Sequence, residues 1–106
     1  SDWSSDVCSS DLPDAVQVHS DVMALGVLSV LHEQGVKVPE EIAVVGFDNR
    51  SMASLCWPRL TTVAQPNREA GQAAAEILLA RLDGTEPAES RQPLVLPTRL
   101  VLRDSA

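Results

Sequence analysis

One carboxylate lies at a position where parallel sheets bind their ligands. The apolar run from Ile42 to Phe47 is too short for a helix, and Asp48 follows it directly. Continuous apolar runs of this length favour strands buried on both faces, as in parallel sheets. Ligands of open α/β sheets bind at the carboxyl edge, so Asp48 is the first candidate for a ligand-binding residue. The alternative is a carboxylate that caps a helical turn expected at 51–55.

Other kinds of chemistry find little support in the residue types. His19 and His32 have no partner at metal or catalytic spacing, and Cys8 and Cys56 match no metal or redox motif, so we expect no metal and no cofactor. No Gly-x-Ser-x-Gly elbow is present, and we expect no enzymatic activity. A phosphoacceptor role for Asp48 would need a lysine opposite, but Lys37 is the only lysine and precedes the strand.

The elements alternate as in an α/β fold. Helix signals mark 21–34, with Ser20 as N-cap and Gly35 as terminator, and 67–82, between Pro66 and Gly84. Apolar and β-branched runs predict short strands at 15–18, 42–46, 60–64, 94–96 and 100–102. The first strand, helix and second strand form a unit in which the strands should pair in parallel.

The first predicted helix is apolar around most of its circumference. A helix of this kind is buried on more than one side. One side must cover the sheet, and in so short a chain a second subunit would cover the other. The alternative is a neighbouring helix in a longer parent protein.

Composition excludes two partners. The 106 residues carry a net charge of −7 and no basic run, which argues against nucleic-acid binding. No apolar stretch approaches the roughly 20 residues of a membrane span.

Residues 2–12 resemble the translation of a common short-read sequencing adapter, so we expect residues 1–12 to be a non-native, disordered leader.

Several stretches together resemble the C-terminal part of LacI/GalR-family transcriptional regulators. The resemblance spans residues 13 to 106 and is carried by Ser-Asp-Val-Met-Ala-Leu-Gly at 20–26, Val-Pro-Glu-Glu-Ile-Ala-Val-Val-Gly-Phe-Asp-Asn at 38–49, Leu-Thr-Thr-Val at 60–63 and Leu-Pro-Thr-Arg-Leu at 96–100. It implies a fragment of a type I periplasmic-binding-protein-like fold, with a parallel sheet flanked by helices. Residues 13–64 would end the C-terminal subdomain, 65–91 would cross to the N-terminal subdomain, and 92–106 would return as a crossover and closing strand.

The resemblance also implies functional residues and partners. Asp48 matches an acidic residue that accepts effector hydroxyls, Ser20 stands where the family often has Asn, and Gln65 matches a position that can line the cleft. Family effectors are mostly sugars, with purines as an exception. Dimer contacts would involve the first helix and segment 51–58, through Met23, Val27, Val30, Leu55 and Cys56. DNA would be bound only by a headpiece missing from this sequence, in a cytoplasmic regulator without membrane contact. A periplasmic sugar-binding protein of a transporter is the alternative, since it shares the fold.

Overall fold

The computed structural model describes residues 13–85 and 93–106. Their elements, in chain order, are β1 (Ala15–Gln17), α1 (Asp21–Glu33), β2 (Ala43–Val45), a 3₁₀ helix (Ser51–Ser54), β3 (Thr62–Ala64), α2 (Asn67–Leu82) and β4 (Arg99–Val101). The predicted leader and residues 86–92 of the predicted crossover region lie outside the described residues. Neither α-helix combines the length and the apolarity that a membrane crossing requires.

Strands β1 and β2 pair in parallel, as the β–α–β pattern predicts. Strand β1 pairs with β2 in the register Ala15↔Ala43, Val16↔Val44 and Gln17↔Val45. Parallel bridges Val45↔Thr61 and Asp48↔Ala64 continue this arrangement from β2 to β3, and β4 adjoins β3. The predicted α/β class is therefore confirmed.

The described residues fall into two compact units. The first comprises 13–64 with 100–106, and the second comprises 65–85 with 93–99. The first unit contains the core cluster, whose buried members are Val18, Ala24, Leu28, Ile42, Val44, Ala53 and Leu60.

Strand β2 shows one departure from the expectation of two buried faces. Val44 is fully buried, but Ala43 and Val45 remain partly exposed. The expectation is wrong for this chain because the core cluster, with Ala24 and Leu28 of α1, covers only the face that carries Val44.

Both ends of helix α1 lie where the capping residues predict them. The Ser20 hydroxyl oxygen accepts the Met23 N–H at 3.2 Å, as an N-cap does. Gly35 has φ +72° just past the helix, a conformation that favours glycine.

The second unit contains α2 and departs from the sequence prediction at one strand. Helix α2 has the predicted bounds but contains no buried residue; its least exposed positions are Ala73, Ile77 and Ala80. The predicted strand at 94–96 is absent, since residues 93–98 have no strand pairing. Pro93 and Pro97 flank it and have no N–H to donate to a ladder.

Candidate functional site

The carboxyl ends of three strands coincide at one edge of the first unit. Val18 N–H donates to the Val45 carbonyl at 2.7 Å, Gly46 N–H to Thr61 at 2.9 Å, and Asp48 N–H to Val63 at 2.8 Å. These bonds fix the segments that follow β1 and β2 relative to β3. The edge is the position at which open α/β sheets bind ligands.

Asp48 lies at this edge with a side chain that is 24% exposed. Its Oδ2 accepts the Nε–H of Arg50 at 3.0 Å. Asp48 and Asn49 have φ of +117° and +60°, a left-handed turn built from two residues other than glycine. The carboxylate is thus held at the rim, accessible to a ligand and partnered by a cation.

Ser20 and Gln65 were also predicted as ligand residues. Ser20 follows β1 at the same edge and is half-buried, with its hydroxyl engaged as the N-cap of α1. The Asp21 N–H donates to the Phe47 carbonyl at 3.0 Å, which ties the start of α1 to the segment that carries Asp48. Gln65 directly follows β3 and is exposed within the second unit. The ligand roles of Asp48, Ser20 and Gln65 stay predictions.

An open cavity lies beside this edge. It has a volume of about 460 Å³ and is lined by Gln17, Val18, His19 and Phe47. Amide and imidazole groups share its wall with the apolar side chains of Val18 and Phe47. Within 13–85 and 93–106, no group of three or more His, Cys, Asp or Glu side chains is placed to hold a metal ion.

Asp21 is a buried carboxylate whose partners sequence reasoning missed. It is fully buried. Its Oδ1 accepts the Thr62 hydroxyl at 2.6 Å, and its Oδ2 accepts the Arg50 backbone N–H at 2.6 Å. The charge is therefore compensated by hydrogen bonds, and Asp21 joins α1, β3 and the turn after β2. Two consecutive threonines in a buried strand were the available signal, because buried hydroxyls need partners.

Gly46 makes room for this carboxylate. A Cβ at that position would collide with Asp21 Oδ1 and come within 2.8 Å of Leu60 Cδ2. A side chain at residue 46 is therefore incompatible with the observed packing of α1 on β2.

The C-terminal residues hold β2 and β3 together. Ser105 is fully buried; its Oγ donates to the Val44 carbonyl at 2.6 Å and accepts the Thr61 N–H at 2.8 Å. Arg103 donates from Nη1 to the Leu60 carbonyl and from Nη2 to Asn49 Oδ1, both at 2.9 Å. Nothing in the local sequence marks either residue as a partner of the sheet.

The predicted dimer residues divide into exposed and half-buried members. Met23 and Val30 are each 56% exposed and Leu55 is 81% exposed. Val27 and Cys56 are half-buried and pack against the core cluster. The Cys56 thiol also lies 3.2 Å from the Pro58 carbonyl, as expected of a cysteine that packs within its own turn.

Comparisons with known proteins identify the family of this chain. The whole chain, residues 1–106, matches the family model for a periplasmic binding protein-like domain, and this match does not separate residues 1–12 from the rest. The HTH-type transcriptional repressor CytR of Escherichia coli (strain K12) is 43% identical over 93 residues, which are 88% of this chain and 27% of CytR. The chain thus spans about a quarter of that relative's length.

Solved structures of regulators have the same fold. A LacI family transcriptional regulator from Lactobacillus casei with bound sucrose matches with a TM-score of 0.75 and 39% identity, covering 95% of this chain and 36% of that one. The complex of the transcriptional regulator CelR with cellobiose matches with a TM-score of 0.78 and 41% identity, covering 88% and 28%.

These relatives are transcriptional regulators, so they favour a regulator over the transporter alternative. The chain belongs to the periplasmic binding protein-like domain family, in the form found as the effector-binding domain of LacI-family transcriptional regulators.

Proposed function

We propose that this chain supplies part of a sugar-binding site to a LacI-type transcriptional regulator, with Asp48 as the principal acceptor of sugar hydroxyls. The observation that carries the proposal is the place of Asp48: a partly exposed carboxylate on a fixed turn at the carboxyl edge of parallel strands. The sucrose and cellobiose bound by two similar regulators support a sugar as the ligand class.

The chemistry of the edge suits a sugar. A carboxylate accepts several hydrogen bonds, and those to a charged acceptor are the stronger ones. The Ser20 hydroxyl and the Gln65 amide would add neutral donors and acceptors, while Val18 and Phe47 offer apolar surface to the C–H faces of a ring. Arg50 already donates to Asp48, so a sugar would either share the carboxylate with Arg50 or displace it.

The apolar stripe on α1 supports a homodimer. Met23, Val27 and Val30 follow one another at the i, i+4, i+7 spacing and so lie on one helix face. With Leu55 and Cys56 they would form the face that a second copy covers, because monomers rarely leave large apolar patches exposed.

DNA recognition would lie outside this sequence. The net charge of −7 and the absence of a basic run argue against a phosphate-binding surface in it. We place operator binding in a separate headpiece of a cytoplasmic regulator and no catalysis in this chain.

The test uses a longer protein that contains this chain and has about the length of the similar regulators. Operator binding is followed by fluorescence anisotropy while sucrose, lactose and cellobiose are added. Asp48→Asn keeps the size of the side chain and its tolerance of positive φ but removes the charge. We expect unchanged operator affinity and a sugar affinity reduced roughly tenfold to a hundredfold, since a hydrogen bond to a charged group contributes about 1.5–3 kcal/mol.

The matched control is Asp14→Asn, which changes an exposed aspartate before β1 and should leave the sugar response intact. A normal sugar response from the Asp48→Asn protein would contradict the proposal.

A further inference from the structure

Three consecutive backbone amides after β2 are each held by a different group. Asp48 N–H donates to the Val63 carbonyl at 2.8 Å. Asn49 N–H donates to Thr62 Oγ1 at 3.3 Å, and Arg50 N–H donates to Asp21 Oδ2 at 2.6 Å. The turn that presents the Asp48 carboxylate is therefore fixed by β3 and α1 together.

The conformation of this turn explains why it needs so many partners. Asp48 has φ +117° and Asn49 has φ +60°. Positive φ is unfavourable for residues other than glycine and persists where the surrounding structure over-determines it. Without its partners the turn would relax to more populated backbone angles, and the carboxylate would point elsewhere.

Thr62 connects two of these partners through one hydroxyl. Its Oγ1 accepts the Asn49 N–H and donates to Asp21 Oδ1 at 2.6 Å. A hydroxyl group can do both at once, and valine, its closest apolar counterpart in shape, can do neither.

Arg103 fastens the same turn from a distant part of the chain. Its Nη2 donates to Asn49 Oδ1 and its Nη1 to the Leu60 carbonyl, both at 2.9 Å, while its backbone N–H donates to Thr61 Oγ1 at 2.8 Å. The planar guanidinium presents its donors in a fixed fork, so it sets the distance between the Asn49 side chain and β3. A lysine has one ammonium group and cannot reproduce this fork.

We propose that Arg103, with Thr62 and Asp21, is a positioning residue that holds the Asp48–Asn49 turn and thereby the direction of the Asp48 carboxylate. The consequence for ligand recognition rests on the proposed sugar site. The holding of the turn does not, because it can be measured without ligand.

The experiment compares amide hydrogen exchange in the full 106-residue chain and its variants. Arg103→Gln removes the fork, and Arg59→Gln is the matched control, an exposed arginine in the same unit. In Arg103→Gln, exchange at residues 48–50 should accelerate about tenfold relative to the amides of β2, the loss expected for a hydrogen bond from a charged donor. Arg103→Lys should behave like Arg103→Gln, and Arg59→Gln like the wild type.

A second pair guards against general unfolding. Thr62→Val should accelerate exchange at 48–50, and Thr62→Ser, which keeps the hydroxyl, should restore the slow rates. The proposal is overturned if exchange at 48–50 in Arg103→Gln is unchanged, or rises only in step with the amides of β2.

A sugar-binding experiment tests the two proposals separately. In the protein of the relatives' length, Arg103→Gln should weaken binding of whichever of sucrose, lactose and cellobiose the wild type binds, by about tenfold, with operator affinity unchanged. A wild type that binds none of the three sugars contradicts the proposed function, while the exchange comparison still decides the positioning role.

Discussion

Helices α1 and α2 have similar lengths, 13 and 16 residues, and both are rich in aliphatic side chains, but they are buried to very different extents. Helix α1 buries Asp21, Ala24 and Leu28 against the sheet of the first unit. Helix α2 buries no residue, and its Leu78 and Leu82 are 58% and 73% exposed. The burial of a helix therefore depends on the elements that pack against it, and helix signals in the sequence do not predict that burial.

The strongest test of this contrast truncates one leucine in each helix. Leu28→Ala should lower the free energy of unfolding of the first unit by about 3 kcal/mol, because it leaves a cavity in the core cluster. Leu82→Ala should change stability by less than about 0.5 kcal/mol, as is usual for surface positions. Urea denaturation monitored by circular dichroism measures both. Equal losses would show that the two helices are packed alike.

Glycine-to-alanine substitutions test the same comparison, because they should change stability in opposite directions at different positions. Gly46→Ala should destabilise the first unit by about 2 kcal/mol, since the added methyl group collides with Asp21 and overpacks the contact between α1 and β2. The methyl group added by Gly26→Ala or Gly71→Ala would have no other atom within 4 Å. Each substitution should stabilise its own helix by about 0.5–1 kcal/mol. Thermal melting of the three variants shows whether each substitution raises or lowers stability. If Gly46→Ala left stability unchanged, the close packing of α1 on β2 would be refuted.

Charges introduced on exposed faces distinguish a dimer surface from a merely exposed one. Met23→Glu on α1 should weaken self-association at least about tenfold, because a buried unpaired charge is costly in an interface. Leu79→Glu on α2 is the control, with a side chain 58% exposed against 56% for Met23. Sedimentation velocity over a range of concentrations measures both. If the two variants associate equally, the stripe on α1 is not the dimer face.

The smallest effect concerns the start of α1. Ser20→Ala removes the acceptor for the Met23 N–H and should cost about 1 kcal/mol of stability. Ser20→Asp, which retains an N-cap acceptor, should restore most of it. If Ser20→Ala left the melting temperature unchanged but weakened sugar binding, a ligand role would outweigh the capping role.

Local signals in the sequence account for much of the fold. The bounds of α2 follow from Pro66 and Gly84, and those of α1 from Ser20 and Gly35, because capping depends on neighbouring residues. The place of Asp48 follows from the apolar run before it, since parallel strands end at a common edge. Residues adjacent in sequence carry all of this information.

The support of the site could not be predicted in the same way. Thr62 meets Asp21 across 41 residues of chain, and Arg103 meets Asn49 across 54. Such pairs depend on how α1 and the C-terminal residues pack on the sheet, and no short pattern encodes that packing. The exposure of α2 could not be predicted for the same reason, because helix signals in the sequence do not report whether another element covers the helix.

A crystal structure of a protein that carries this chain, grown with the sugar it binds most tightly, would test the ligand role of Asp48. We predict an Asp48 carboxylate oxygen within about 3 Å of a sugar hydroxyl oxygen, the distance of an O–H···O⁻ hydrogen bond. A sugar that makes no contact with Asp48, or one seated at the other end of α1 beside His32 and Lys37, would contradict it.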